Sequence, residues 1–159
     1  MTAAVAGLLL GLIVFADPKG TPVHRLLGVA FALAMLTVNI TALGLYRLTG
    51  SFGAFHVLAL LSLLALARGL WPLVRRRTGW LNLHYRYMAI SYGGLVAAAL
   101  AETLTRLPAA RGLLNTPSRI IAMGVAIAVL VFVGLRLILP RFERQSLQAA
   151  LAHMQANKT

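Results

Sequence analysis

The chain has 159 residues, 60% of them hydrophobic, with a mean hydropathy of +0.84. A soluble domain of this size cannot bury so much apolar surface, and the charges gather in short clusters between apolar runs, so the sequence describes a polytopic membrane protein. The formal charge of +12 does not build a nucleic-acid surface, because the basic residues flank apolar spans instead of forming one face. The lack of cysteine excludes disulfides, thiolate metal sites and thiol catalysis.

Five apolar stretches follow one another: Thr2–Ala16, His24–Tyr46, Phe52–Leu73, Leu81–Leu104 and Ser118–Leu139. The first has no basic n-region and no A-x-A site before Asp17, and reads as a short membrane helix that stays in place, the alternative being a cleaved signal. The other four are long enough for a hydrocarbon core that needs about 20 residues. Breaks fall at Asp17-Pro18-Lys19-Gly20-Thr21-Pro22, at Thr49-Gly50-Ser51, at Arg75-Arg76-Arg77-Thr78-Gly79, and from Leu107-Pro108 to Thr116-Pro117. The expected fold is all-α, a transmembrane bundle of four long helices plus one short N-terminal helix, as a single domain over residues 1–140. Beyond Pro140 a tail (141–159) carries Leu147, Ala150, Leu151 and Met154 at helical spacing, an amphipathic helix for the membrane surface or a partner.

Assigning alternate connections to opposite sides puts Lys19, Arg25, Arg68, Arg75, Arg76, Arg77, Arg86, Arg136, Arg141, Arg144 and Lys158 together, against Arg47, Arg106, Arg111 and Arg119. The positive-inside rule then sets the N-terminus in the periplasm and the C-terminus in the cytoplasm of an inner membrane.

Glu102 is the one carboxylate inside an apolar stretch; the whole acidic inventory is Asp17, Glu102 and Glu143. A lone charge there costs roughly 2.5 to 3.5 kcal/mol on insertion scales, so a partner is expected. His56, four residues into its helix, and Glu102, four before Arg106, each lie about 6 Å inside the same edge, with Asn39 about two turns down the second helix. They form a candidate outer cluster, either a structural pair or a proton, quinone or metal site; one His and one carboxylate fall short of a full zinc ligand set. At the other side His24 opens the second helix and His84 the fourth. Imidazoles on alternate helices at one depth are what bis-histidine haem ligation needs, and the competing reading is an interfacial pair beside Arg25, Arg86, Tyr85 and Tyr87. Ser91 and Tyr92 are buried polar residues mid-membrane, Gly7/Gly11 and Gly94/Ala98 are candidate close-packing steps, and His153 is solvated. No nucleotide loop, zinc-protease signature, nucleophile elbow or catalytic triad is present, so no catalytic residue is assigned.

The run Lys19-Gly20-Thr21-x-x-His24-Arg25-x-x-Gly28, taken with Phe55-His56 and His84-x-Arg86-Tyr87-Met88-x-x-Ser91-Tyr92…Glu102-Thr103-x-x-Arg106, resembles a family of bacterial predicted membrane proteins catalogued as a domain of unknown function. The likeness runs from Asp17 to about Pro108 and implies a helical inner-membrane protein with no established activity. More loosely, the His placement is similar to small cytochrome b bundles, with the departure that the fifth helix has no His to pair with His56, so that likeness implies one haem at most.

The sequence thus favours a non-enzymatic accessory or assembly subunit without a cofactor, in contact with lipid and with other membrane subunits or further copies of itself. The alternative is a small redox or proton-handling protein, with b-type haem at His24/His84 or a quinone, proton or metal site at His56/Glu102.

Overall fold

The structure, a computed structural model, describes residues 2–44, 54–75, 79–110 and 116–156. The described residues form α1 (Thr2–Ala16), α2 (Pro22–Leu43), α3 (Ala54–Arg75), α4 (Trp80–Arg106) and α5 (Pro117–Ala156), with a 3-10 turn at Pro108–Ala110. The all-α expectation holds, and α2 to α5 each contain a stretch long and apolar enough to cross a membrane. At 15 residues, α1 reaches about 22 Å, short of a hydrocarbon core of about 30 Å. The breaks expected at Thr49-Gly50-Ser51 and over Arg76–Thr78 lie outside the described residues.

Local chemistry sets the first boundary. Asp17-Pro18 ends α1, Gly20 turns the chain at φ 87°, and Thr21 caps α2 by accepting the His24 N–H at 3.0 Å, with Pro22 in the first helical turn. At the far end Pro140 lies inside α5. α5 runs on through it to Ala156, because a proline inside a helix removes a single N–H bond and bends the axis without obliging the chain to stop. The side chains of Leu147, Ala150, Leu151 and Met154 lie outside the described residues.

α1 packs on α2, α2 on α3, α3 on α4 and α4 back on α1, so the short helix closes a ring in which α2 and α4 stand on the diagonal. The long α5 lies outside that ring, against α4. Val14, Phe31, Met35, Leu66, Met88 and Leu95 fill the ring interior. Small residues let the helices approach: a Cβ on Gly7 would meet Leu95 at 3.0 Å, one on Gly69 would meet Met88 Sδ at 2.9 Å, and one on Gly11 would run into the Tyr92 ring. Between α4 and α5 the close step is Gly93 beneath Leu135 and Val131, whereas Gly94 has open space and Ala98 is exposed. Outside the ring the apolar residues point outward, Leu26, Val74 and Leu130 each more than 70% exposed, as a lipid solvent requires.

Gly11 and Gly28 make a paired test of this packing. Gly11→Ala should lower the melting temperature in detergent, an overpacking cost of about 1–3 kcal/mol, because the Tyr92 ring is itself clamped and cannot yield. Gly28→Ala, which adds its methyl to open space, should be neutral or slightly stabilising; equal melting curves for the two would contradict the described α1 seat.

Candidate functional site

His24 and His84 meet at one end of the ring. The turn that delivers His24 is clamped by Lys19, whose Nζ donates to the carbonyls of Val14 (2.8 Å), Phe15 (2.8 Å) and Asp17 (2.9 Å), using all three of its hydrogens to close the end of α1. Burial holds the Lys19 ammonium below the ordinary lysine range, and the carboxylate of Asp17 offsets this only in part. Thr21 then fixes the first turn of α2, and His24 lies within electrostatic reach of Lys19, His84, Asp17 and the Val14 carbonyl. Its Nδ1 is buried without a hydrogen-bond partner.

On α4, His84 is turned inward. Its Nδ1 stands 2.6 Å from the Gly69 carbonyl on α3. A carbonyl only accepts, so Nδ1 carries the hydrogen, and in the neutral ring Nε2 keeps a free lone pair. The site therefore draws on His24 of α2, a carbonyl of α3 and His84 of α4, with the Val14 carbonyl of α1 in electrostatic reach. Chemically it offers two imidazole nitrogens free to bind an electron-pair acceptor, with the His84 ring held to a backbone carbonyl.

One and two turns deeper along the face of His84 come Met88 and Ser91. Ser91 is 1% exposed and its Oγ has no hydrogen-bond partner. Tyr92 is tied in more fully. Its hydroxyl donates to the Leu8 carbonyl at 3.2 Å, and its ring lies 5.4 Å from Phe15 and 6.1 Å from Phe31 between centroids.

The opposite end differs from expectation. Asn39 (3% exposed) and His56 (1%) are buried on the adjacent helices α2 and α3, and Asn39 Nδ2 donates to its own helix at Met35 O, 2.8 Å. Glu102 does not join them. It faces outward, 57% exposed, and pairs at 2.5 Å with Arg106 one turn on. The expected His56/Glu102 cluster is thus corrected: an i,i+4 partner on the same outward face, close to the helix end, satisfies the carboxylate locally. Among the described residues no three His, Asp or Glu side chains group as a metal site.

Sequence reading picked out both histidines and missed what holds them. Lys19 stood in the quoted motif but passed as a loop charge. Gly69 and Pro72 gave a signal in retrospect, a glycine and a proline three residues apart in an apolar helix. Asn82, whose buried Oδ1 has no partner, was not singled out.

Lys19→Met, which keeps the stem and deletes the three bonds, should cost on the order of 1 kcal/mol near neutral pH. Because the folded value lies below the ordinary 10.5, the unfolded chain holds this proton over the higher pH range, so the native state gains stability as pH rises through the folded value toward 10.5. Melting curves at pH 7 and pH 10 should therefore separate the parent from Lys19→Met further at the higher pH.

Comparison with curated proteins and with solved structures gives no match. One family model does match, described as "Predicted membrane protein (DUF2306)", over residues 1–138, which takes in the four-helix ring, the His24/His84 site and the membrane-crossing part of α5. The chain therefore belongs to the DUF2306 family of membrane proteins.

Proposed function

We propose that the chain is a membrane redox or proton-handling protein working at His24 and His84, and that a b-type haem is the group this pair would hold. The observation that carries the reading is the state of the two ring nitrogens: the Gly69 carbonyl takes the Nδ1 hydrogen of His84 and leaves Nε2 free, while His24 Nδ1 is buried with no partner. A second-sphere carbonyl on a histidine is the common way of fixing a ligand's tautomer and ring angle. Haem bound there would supply one-electron chemistry. The protein's part is to present both nitrogens, keep them dry, and place Lys19 and Asp17 at the rim, where a proton can follow a change of charge.

The second reading is the accessory or assembly subunit. It is supported by α5, where the apolar stretch Ser118–Leu137 has 0% of its residues buried within the chain, against 33% for α4. Such a helix is available to another subunit or a second copy, and His24/His84 would then serve packing. Protein purified from haem-replete cells decides between them. The first reading expects a Soret band that disappears in His24→Ala and in His84→Ala with helicity retained; colourless protein overturns it and leaves the accessory reading.

Under either reading the basic end, with Lys19 and Arg75, faces the cytoplasm of the inner membrane and the N-terminus the periplasm. The eleven-to-four division of Lys and Arg across the two sides supports this. Reporter fusions at Gly79 and at Thr159 should both read cytoplasmic, and a periplasmic signal at either overturns the orientation.

A further inference from the structure

On the outside of the ring, at the end that carries His24 and His84, α3 and α4 enclose a groove of about 370 Å³ lined by Ala67, Arg68, Trp71, Leu83 and Tyr87. The groove is independent of the histidine site: Arg68, Trp71 and Leu83 are exposed on the outer surface. Its walls are apolar and its one charge is Arg68. That residue lies seven positions before the last residue of α3, and Tyr87 seven after the first of α4, so both are about 10 Å in from the helix ends.

A guanidinium at that depth in a lipid-facing groove needs a partner, because an uncompensated charge there is expensive. The chain supplies little. Arg68 Nη1 donates to the Tyr87 hydroxyl at 3.4 Å, a long contact that leaves most of the guanidinium donors unused. Arg75, one and two turns along the same helix, lies over the Trp71 ring at 5.5 Å. The ion pair of Arg106 with Glu102 lies at the opposite end of α4, and among the described side chains neither Arg68 nor Arg75 is seen to pair with a carboxylate. A cation with spare paired donors at the head of an apolar slot is complementary to a molecule with a phosphate on an acyl chain.

We propose that this groove is a binding site for an anionic phospholipid, its phosphate gripped by Arg68 beside the Tyr87 hydroxyl and its acyl chain lying along Ala67, Trp71 and Leu83. Arg75, stacked on Trp71, adds positive charge where the headgroup emerges. The net attraction distinguishes an anionic lipid from a zwitterionic one, whose own ammonium would be repelled by the same arginines.

Trp71 reports on its own groove. The chain has two tryptophans, so Trp80→Phe leaves Trp71 as the sole emitter. In vesicles of equal acyl composition, brominated phosphatidylglycerol should quench Trp71 severalfold more effectively than brominated phosphatidylcholine. The preference should vanish in Arg68→Gln. Should that variant fail to fold, Arg68→Lys keeps the charge but not the fork, and must reduce the preference. Equal quenching by the two lipids, quenching by neither as when a protein helix covers the slot, or a preference untouched by either substitution overturns the assignment.

Discussion

Tyr92 ties the short first helix into the bundle, and the rest of the ring depends on that seat. Its hydroxyl bonds the Leu8 carbonyl of α1, and its ring lies against Phe15 of α1 and Phe31 of α2. Gly11 leaves room for the ring to come that close. Apolar matching to lipid alone would leave α1 no reason to choose an interior position, since lipid is as good a solvent for leucine as a neighbouring helix. An inter-helix hydrogen bond and close contact supply that reason. Once α1 is in place its C-terminal carbonyls stand at the rim of the ring, where Lys19 closes them.

Within the spans, most polar side chains are satisfied by their own helix. Thr37 bonds Leu33 O, Thr41 bonds Thr37 O, Thr103 bonds Ala99 O, Asn39 bonds Met35 O, and Glu102 pairs with Arg106. Such bonds keep the helix soluble in lipid and say nothing about function. The ones that cross between helices are more telling. His84 to Gly69 and Tyr92 to Leu8 both point into the ring, the first at the end that carries His24. There the chain has placed polar groups that neighbouring helices must position, and there it leaves the Nδ1 of His24 unmatched.

Arg68 and Tyr87 form a further cross-helix contact, and theirs faces outward. The same pair of helices therefore offers a polar constellation on each side of its seam: imidazole and carbonyl inward, guanidinium and phenol outward. Gly69 sits between them, its missing side chain allowing Met88 to approach and its carbonyl accepting from His84. Pro72, one turn on, supplies no N–H to the Arg68 carbonyl, so the helix is held here by tertiary contact more than by its own ladder.

Composition and hydropathy by themselves determined that this is a helical membrane protein with four long spans and a short first helix, because a lipid solvent demands long apolar runs with every backbone bond made inside the helix. The sequence also pointed to His24 and His84 as a matched pair, since helix starts on alternate spans fall at one depth whatever the packing. Rotation about each helix axis is a different matter. Nothing in an all-round apolar helix such as α4 states which side faces inward, so the direction of Glu102, the use of Gly93 in place of Gly94 and the carbonyl partner of His84 were illegible. Which helices close the ring was hidden for the same reason. Helix order and length suggest that the four long spans bundle together, but in lipid the choice of neighbours is made by close contact at small residues and by a few inter-helix hydrogen bonds. Those contacts placed α1 inside and left α5 outside, and they come into being only when the helices meet.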